Sequence, residues 1–296
     1  MKRKLFMENL HKILLEWFAQ NARKIIWRTP HTSPWGILLS EVMSQQTPVA
    51  RVEPLWQKWM HTWPTPAALA TADNAQILRA WANLGYPRRA LRLKECAQMI
   101  VEKHDGHVPQ DVEQLLALPG IGDYTARAVA AFAFGHNVAV VDTNVRRVYA
   151  RLIKGQFLAQ GARKAELADM QQLLPEHNGP EFSVAFMELG ALVCTPKPQC
   201  DQCPITAMCA WHRAGCPAPS EHELAQAKKR VQKFVGTDRQ VRGKIMALLR
   251  ESTQPVAKEH IDLVWPDSVQ RERALNSLLD DGLAEKTPAG TFQLPH

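Results

Sequence analysis

What this chain lacks narrows its reading first. No apolar run approaches the roughly 20 residues a membrane-spanning helix requires, so a transmembrane role is not expected. The basic start, Met1 to Leu5, leads into an ordinary amphipathic stretch (Leu10, Ile13, Leu14, Trp17, Phe18), not the compact apolar core of a secretory signal. A cytoplasmic protein is therefore expected. Up to about residue 235 no segment sustains the two-residue alternation of a half-buried strand, which argues against a sheet protein. Internal repeats and low-complexity tracts are missing too. The cysteines are not spread as a disulfide framework would spread them: Cys194, Cys200, Cys203, Cys209 and Cys216 crowd into one stretch and only Cys96 stands apart.

What remains is a basic, helix-patterned chain. Its 296 residues suffice for one large domain or two ordinary ones, and its net charge of +7 suits a polyanionic partner. Apolar residues recur at spacings of three and four in Ile37–Met43, Val52–Trp59, Ala90–Val101 and Thr125–Phe134, predicting helices there. Turn signals separate them at Trp63-Pro64-Thr65-Pro66, Leu84-Gly85-Tyr86-Pro87 and Leu118-Pro119-Gly120-Ile121-Gly122. A mainly α fold follows, with residues 1–219 as its principal part. The Pro-rich run Gly215–Pro219 leads into the charge-rich stretch 220–236, which reads as a linker. Beyond it, 237–296 predicts helices over Val241–Leu249, Lys258–Val264 and Val269–Asp280. Two short strands, Leu283–Lys286 and Thr291–Leu294, then flank a turn. That order describes a small winged-helix-like (α+β) domain. Its third helix carries Gln270, Arg271, Arg273 and Asn276 away from the apolar positions Ala274, Leu275, Leu278 and Leu279, as a groove-reading helix would.

Four segments carry chemistry. In Leu118–Gly122, Gly120 and Gly122 allow close backbone approach and conformations barred to residues with a β-carbon. The turn would aim free N–H groups at one spot beside a helix start, which suits a phosphate. An ordinary helix–turn–helix corner needs much the same residues. Glu41 has Leu38 and Ile37 one turn before it and Ser44 and Gln45 one turn after, where an apolar face meets a polar one. Partial burial would raise its pKa and suit it to give up a proton, whereas a solvated surface glutamate is the commoner outcome. Asp142 follows the run Val138–Val141 and fits the N-cap of a helix beginning near Asn144, a position that also fixes a carboxylate in space. Cleaving a purine from deoxyribose needs a proton for the base and an anion beside the cationic sugar, as paired carboxylates provide for other glycosides. Glu41 and Asp142 could meet both needs if the fold unites them. Finally, Cys194, Cys200, Cys203 and Cys209, separated by five, two and five residues, can surround a zinc ion or a four-iron cluster. Lys197 within that loop is placed for a phosphate, Cys96 reads as core, and Cys216 as a bystander.

In order, these pieces resemble the endonuclease III (HhH-GPD) superfamily and, within it, the MutY-type adenine-DNA glycosylases, over about Trp27 to Cys209. Ser40-Glu41-Val42-Met43-Ser44-Gln45-Gln46-Thr47 looks like the acid-bearing helix and Leu84-Gly85-Tyr86 like the loop that follows it. Leu118–Gly122 resembles the hairpin, Val141-Asp142-Thr143-Asn144-Val145 the aspartate segment, and the cysteines the [4Fe-4S] loop. The resemblance implies a two-lobed helical glycosylase with an iron–sulfur loop, acting as a monomer on double-stranded DNA and extruding a mispaired adenine from the duplex. It implies that Glu41 protonates the adenine and Asp142 stabilises the sugar cation with Asn144 nearby. Gln46 and Tyr86 wedge into the stack, Gly120 and Gly122 grip a phosphate, and Arg28 supplies a basic group on the active-site side. The lyase branch has a lysine where this chain has Tyr124, so a monofunctional enzyme that uses water is expected. Two departures stand out. The first cysteine gap is five residues where the family usually has six, and 237–296 is too short for the domain that reads 8-oxoguanine in many relatives. A lyase acting on oxidised pyrimidines and a non-catalytic iron–sulfur redox sensor are the competing readings.

Overall fold

The computed structural model describes residues 2–159, 164–228 and 234–296. The described residues are mainly helical, and the one sheet among them has two strands. The expected helices form with slightly wider bounds: Pro34–Ser44, Val49–Thr62, Arg88–Lys103 and Asp123–Phe134. Among the described residues no helix is long and apolar enough to cross a membrane. By contacts the chain divides into two units. One comprises Met1–Ile37, Gln110–Glu113 and Gly122–Val231; the other comprises Leu38–Pro109, Gln114–Ile121 and Gln232–His296.

In the first unit, the helices Lys2–Asn21 and Thr143–Leu152 both pack against Gly179–Leu192. Their shared core includes Leu10, Leu14, Val145, Val148, Phe182, Phe186 and Leu189, and the residues Cys194, Cys203, Met208 and Cys209 lie against it. Burial of this apolar face holds the three helices together, since each lost side chain would cost transfer energy plus a cavity. Two glycines permit the closest approaches. A β-carbon on Gly179 would meet Asn137 Oδ1 at 1.8 Å, and one on Gly190 would meet Asn144 Cβ at 2.7 Å.

The second unit is organised by indoles. Trp59 makes edge-to-face contacts with Trp63 and Trp81 at centroid distances of 4.8 and 5.6 Å. Trp59 Nε1 donates to Ala80 O and Trp81 Nε1 to Gly85 O, so each buried donor is satisfied and each turn is tied to the core. Thr65 and Asp73 cap Pro66–Ala70 and Asn74–Trp81 by accepting from Ala68 N and Gln76 N. The C-terminal residues contribute helices Asp238–Glu251, Lys258–Asp262 and Ser268–Asp280, then strands Glu285–Lys286 and Phe292–Gln293 paired antiparallel. Val256 bridges to Phe292 as a further rung. The stretch expected to be a linker holds the helix Glu221–Lys228.

Candidate active site and cysteine loop

The aspartate segment is the most tightly determined part of the site. Asp142 caps the helix Thr143–Leu152, its Oδ1 accepting from Val145 N at 2.6 Å. Its Oδ2 accepts from Asn144 Nδ2 at 2.9 Å. Asn144 is fixed in turn by Arg147, whose Nη2 donates to Asn144 Oδ1 at 2.7 Å and to Gly190 O at 2.6 Å. Arg147 Nε also donates to Cys194 O at 2.7 Å. A continuous line of hydrogen bonds therefore runs from the Asp142 carboxylate to the first cysteine of the loop. Burial pushes the Asp142 carboxyl above its ordinary 3.8, against the pull of the Val145 and Asn144 hydrogen bonds and of Arg147. An anion stripped of water in this way interacts strongly with any cation beside it.

Four sulfurs share the next layer. Burial raises the thiols of Cys200, Cys203 and Cys209, and mutual repulsion among the cysteines, Cys194 included, adds to it. Arg151, 2% exposed, donates through Nη1 to Cys194 Sγ at 3.3 Å and to Thr195 O at 2.7 Å. Its guanidinium stacks 4.5 Å from the Phe157 ring centroid. Thr206 Oγ1 donates to the carbonyls of Cys200 and Cys203 and fixes the loop's turn. Thiols that are costly to ionise alone suit a positively charged centre, and the Arg151 guanidinium on Cys194 Sγ offsets part of the surplus negative charge of four thiolates. Among the described residues no three ligand-type side chains converge on a point for a single metal ion. A cubane cluster does not need that convergence, since each thiolate binds a different iron. Lys197 is exposed, and Cys216 is close enough to add to the repulsion felt by Cys200.

Arg28 turns part of its charge inward. Its Nη2 donates to Glu188 Oε2 at 3.0 Å, and Arg23 Nε reaches Glu188 Oε1 at 2.6 Å. Glu188 is fully buried, and these cations, with the Arg23 backbone N–H, outweigh burial and hold its carboxyl below the ordinary 4.5. The Nη1 of Arg28 is buried without a hydrogen-bond partner. Tyr124 is partly buried against Ala128, Ala131 and Val140.

In the second unit, Glu41 is half-buried on Pro34–Ser44, next to the buried Ser40 and Val42. The C-terminal carbonyls of that helix are gathered by Arg89. Its Nη1 donates to Val42 O at 2.8 Å and Gln45 O at 2.7 Å, while Nη2 donates to Gly85 O at 3.1 Å and Leu84 O at 3.3 Å. One guanidinium thus ties the end of the Glu41 helix to the loop of Tyr86, which is favourable at the negative end of a helix dipole. Burial lowers the Arg89 pKa to about 10, with the neighbouring Tyr86 opposing it. Both loops present a side chain from left-handed backbone, Gln46 at φ 55° and Tyr86 at φ 48°, and both side chains are exposed. Beside them a cleft of about 120 Å³ is lined by Gln45, Arg88, Arg89, Arg92, Pro119 and Gly120 among others.

The hairpin uses its glycines unequally. Gly120 adopts φ 76°, and a β-carbon there would stand 3.0 Å from Arg92 Cβ. Gly122 takes an extended conformation (φ −97°, ψ 175°) open to any residue, because it only caps Asp123–Phe134. That corrects the expectation that both glycines exploit forbidden backbone. The sequence reading also missed Arg89, Arg147, Arg151, Glu188 and Gly190. Only Arg147, one helical turn after Asn144, left a local signal.

The model of the HhH-GPD superfamily of base excision DNA repair proteins matches residues 39–169. The chain is 52% identical over 284 residues to an adenine DNA glycosylase of Mycolicibacterium smegmatis, covering 95% of this chain and 94% of that one. It is 41% identical over 213 residues to the human adenine DNA glycosylase, covering 66% of this chain and 38% of that protein. A thermostable thymine-DNA glycosylase aligns with TM-score 0.67 at 27% identity over 72% of this chain and the whole of the other. An endonuclease III–DNA complex shares the fold at TM-score 0.62 and 23% identity, over 73% of this chain and 98% of that one. The expected family and the expected mainly helical fold are thereby borne out. With its capped aspartate, glycine hairpin and cysteine loop, the chain belongs to the HhH-GPD superfamily of base excision repair proteins, in its adenine DNA glycosylase branch.

Proposed function

We propose that the protein hydrolyses the N-glycosidic bond of adenine mispaired with 8-oxoguanine or guanine in double-stranded DNA. The 52% identity with an adenine DNA glycosylase along nearly the whole chain supports the substrate. The single structural observation that carries the chemistry is Asp142, a desolvated carboxylate with both oxygens held. Glu41 protonates a ring nitrogen of the adenine, the bond to C1′ breaks, and its electron pair leaves with the base. Asp142, fixed by Asn144, faces the sugar cation, which carries its charge only near the transition state. Water adds to C1′ and passes its proton to the Glu41 carboxylate, which regenerates the acid. Tyr124 offers no amine, so no Schiff base forms and an abasic site is left.

Gln46 and Tyr86 wedge into the stack beside the extruded adenine, the Gly120–Gly122 turn binds backbone phosphate, and Arg28 supplies a basic group on the active-site side. Cys194, Cys200, Cys203 and Cys209 would hold a [4Fe-4S] cluster, whose iron binds the four thiolates and so braces the loop. Arg151 and Thr206 shape that cradle. The 237–296 segment is read as a winged-helix-like domain, and the chain as a monomer acting on nucleoid DNA. In the test, Glu41→Gln keeps the side chain's shape and removes its proton. We expect base release to fall roughly 10²–10⁴-fold with duplex binding preserved. Retention of more than about a tenth of the activity would remove Glu41 from the role of acid.

A further inference from the structure

The polar face of Ser268–Asp280 is occupied within its own unit. Arg273 grips Asp238 through Nε and Nη2 at 2.6 and 2.7 Å. Gln270 Nε2 donates to Asp238 Oδ1 and Gly236 O. Arg271 donates to Asp262 Oδ1 at 2.9 Å and to Trp265 O at 2.5 Å. Of the residues expected to read a DNA groove, Gln270 and Arg273 pin the start of Asp238–Glu251, and Arg271 is held by Asp262 and Trp265. The next residue, Arg239, is exposed and places its guanidinium 4.2 Å from the Tyr86 ring centroid, with Phe234 on the same guanidinium at 5.7 Å. The contact is not casual, because the C-terminal segment is anchored around it. Asp281 joins Arg88 and Arg242 at 3.1 and 2.6 Å, Arg79 donates to Ser252 O, and Asn74 donates to His296 O. Tyr86 meanwhile stands 40% exposed on left-handed backbone that a bulky residue seldom adopts.

We propose that Arg239 is a positioning residue for the wedge: the C-terminal segment acts on adenine extrusion by clamping the Tyr86 ring from its own helix while Arg89 fixes the backbone beneath. This rests on the reading of Tyr86 as a wedge. A free tyrosine on a loop loses rotamer freedom when it enters the stack, and a ring already held by a guanidinium loses less. The chain's short C-terminal segment thus contributes to lesion handling through Tyr86 instead of through a groove-reading helix.

The test uses the full chain with Tyr86→Ala, Arg239→Ala and the double variant. Extrusion is read from the fluorescence of 2-aminopurine in the adenine position, and excision from an adenine already extrahelical in a bulge. Arg239→Ala is expected to reduce extrusion roughly 2- to 30-fold, the worth of one cation–π contact, while excision from the bulge stays unchanged. The double variant should be no worse than Tyr86→Ala alone. Multiplying losses would show that Arg239 acts independently of Tyr86 and would overturn the clamp. So would an equal loss on the bulge, which marks general damage. Full extrusion by Tyr86→Ala would remove the wedge reading and the clamp with it.

Discussion

Replacing Gly190 with alanine tests whether helix contact sets the reaction geometry. The new β-carbon would lie 2.7 Å from Asn144 Cβ, 3.0 Å from Asn144 O and 3.1 Å from its carbonyl carbon. These atoms belong to the helix itself, so no side-chain rotation relieves the clash. Reaching ordinary carbon contact near 3.5 Å requires the helices to part by about 0.8 Å. The same movement strains both hydrogen bonds from Arg147, since one acceptor is Gly190 O and the other is Asn144 Oδ1. Overpacking of this kind costs about 1–3 kcal/mol of stability. Displacement of a catalytic group by nearly 1 Å can cost about 10²-fold in rate. Single-turnover base release should therefore fall by about two orders of magnitude at a temperature well below the unfolding midpoint. A Gly190→Ala protein with unaltered turnover would refute the idea that the Asn144–Arg147–Gly190 contact positions Asp142.

Glu188→Ala should leave the partly exposed Arg23 and Arg28 without their shared carboxylate and destabilise the fold by about 1–3 kcal/mol, measured by denaturant unfolding. Because the folded Glu188 pKa lies below its ordinary 4.5, its contribution is fully present above that value and fades as the pH drops through the lower folded value. The Ala variant should accordingly lose this part of the acid sensitivity, and an unchanged stability–pH curve would contradict the pairing. Cys200→Ser should lower iron content and visible absorbance together with DNA affinity. One zinc and no iron in anaerobically purified protein would overturn the cluster.

Local pattern made much of this legible. Spacings of three and four found the helices because each buries one stripe, and Asp142 advertised its cap by following an apolar run at a helix start. The cysteine loop announced itself because its four residues are close in sequence. What was hidden joins distant positions. Arg28 and Glu188 lie 160 residues apart, and nothing near either residue names the other. Arg89 reads locally as one more cation on a helix, yet it serves carbonyls up to 47 residues away. Gln270 and Arg273 point away from the apolar core as expected. Pattern could not reveal that Asp238 of a preceding helix would occupy them.

The assigned reaction is put to the test by incubating the unmodified protein with duplexes holding adenine opposite 8-oxoguanine, guanine, cytosine or thymine, with borohydride present in a parallel reaction. Free adenine from the first two duplexes, an intact abasic strand and no covalent protein–DNA adduct are expected. A trapped adduct, or no adenine released opposite either 8-oxoguanine or guanine, would contradict this reaction.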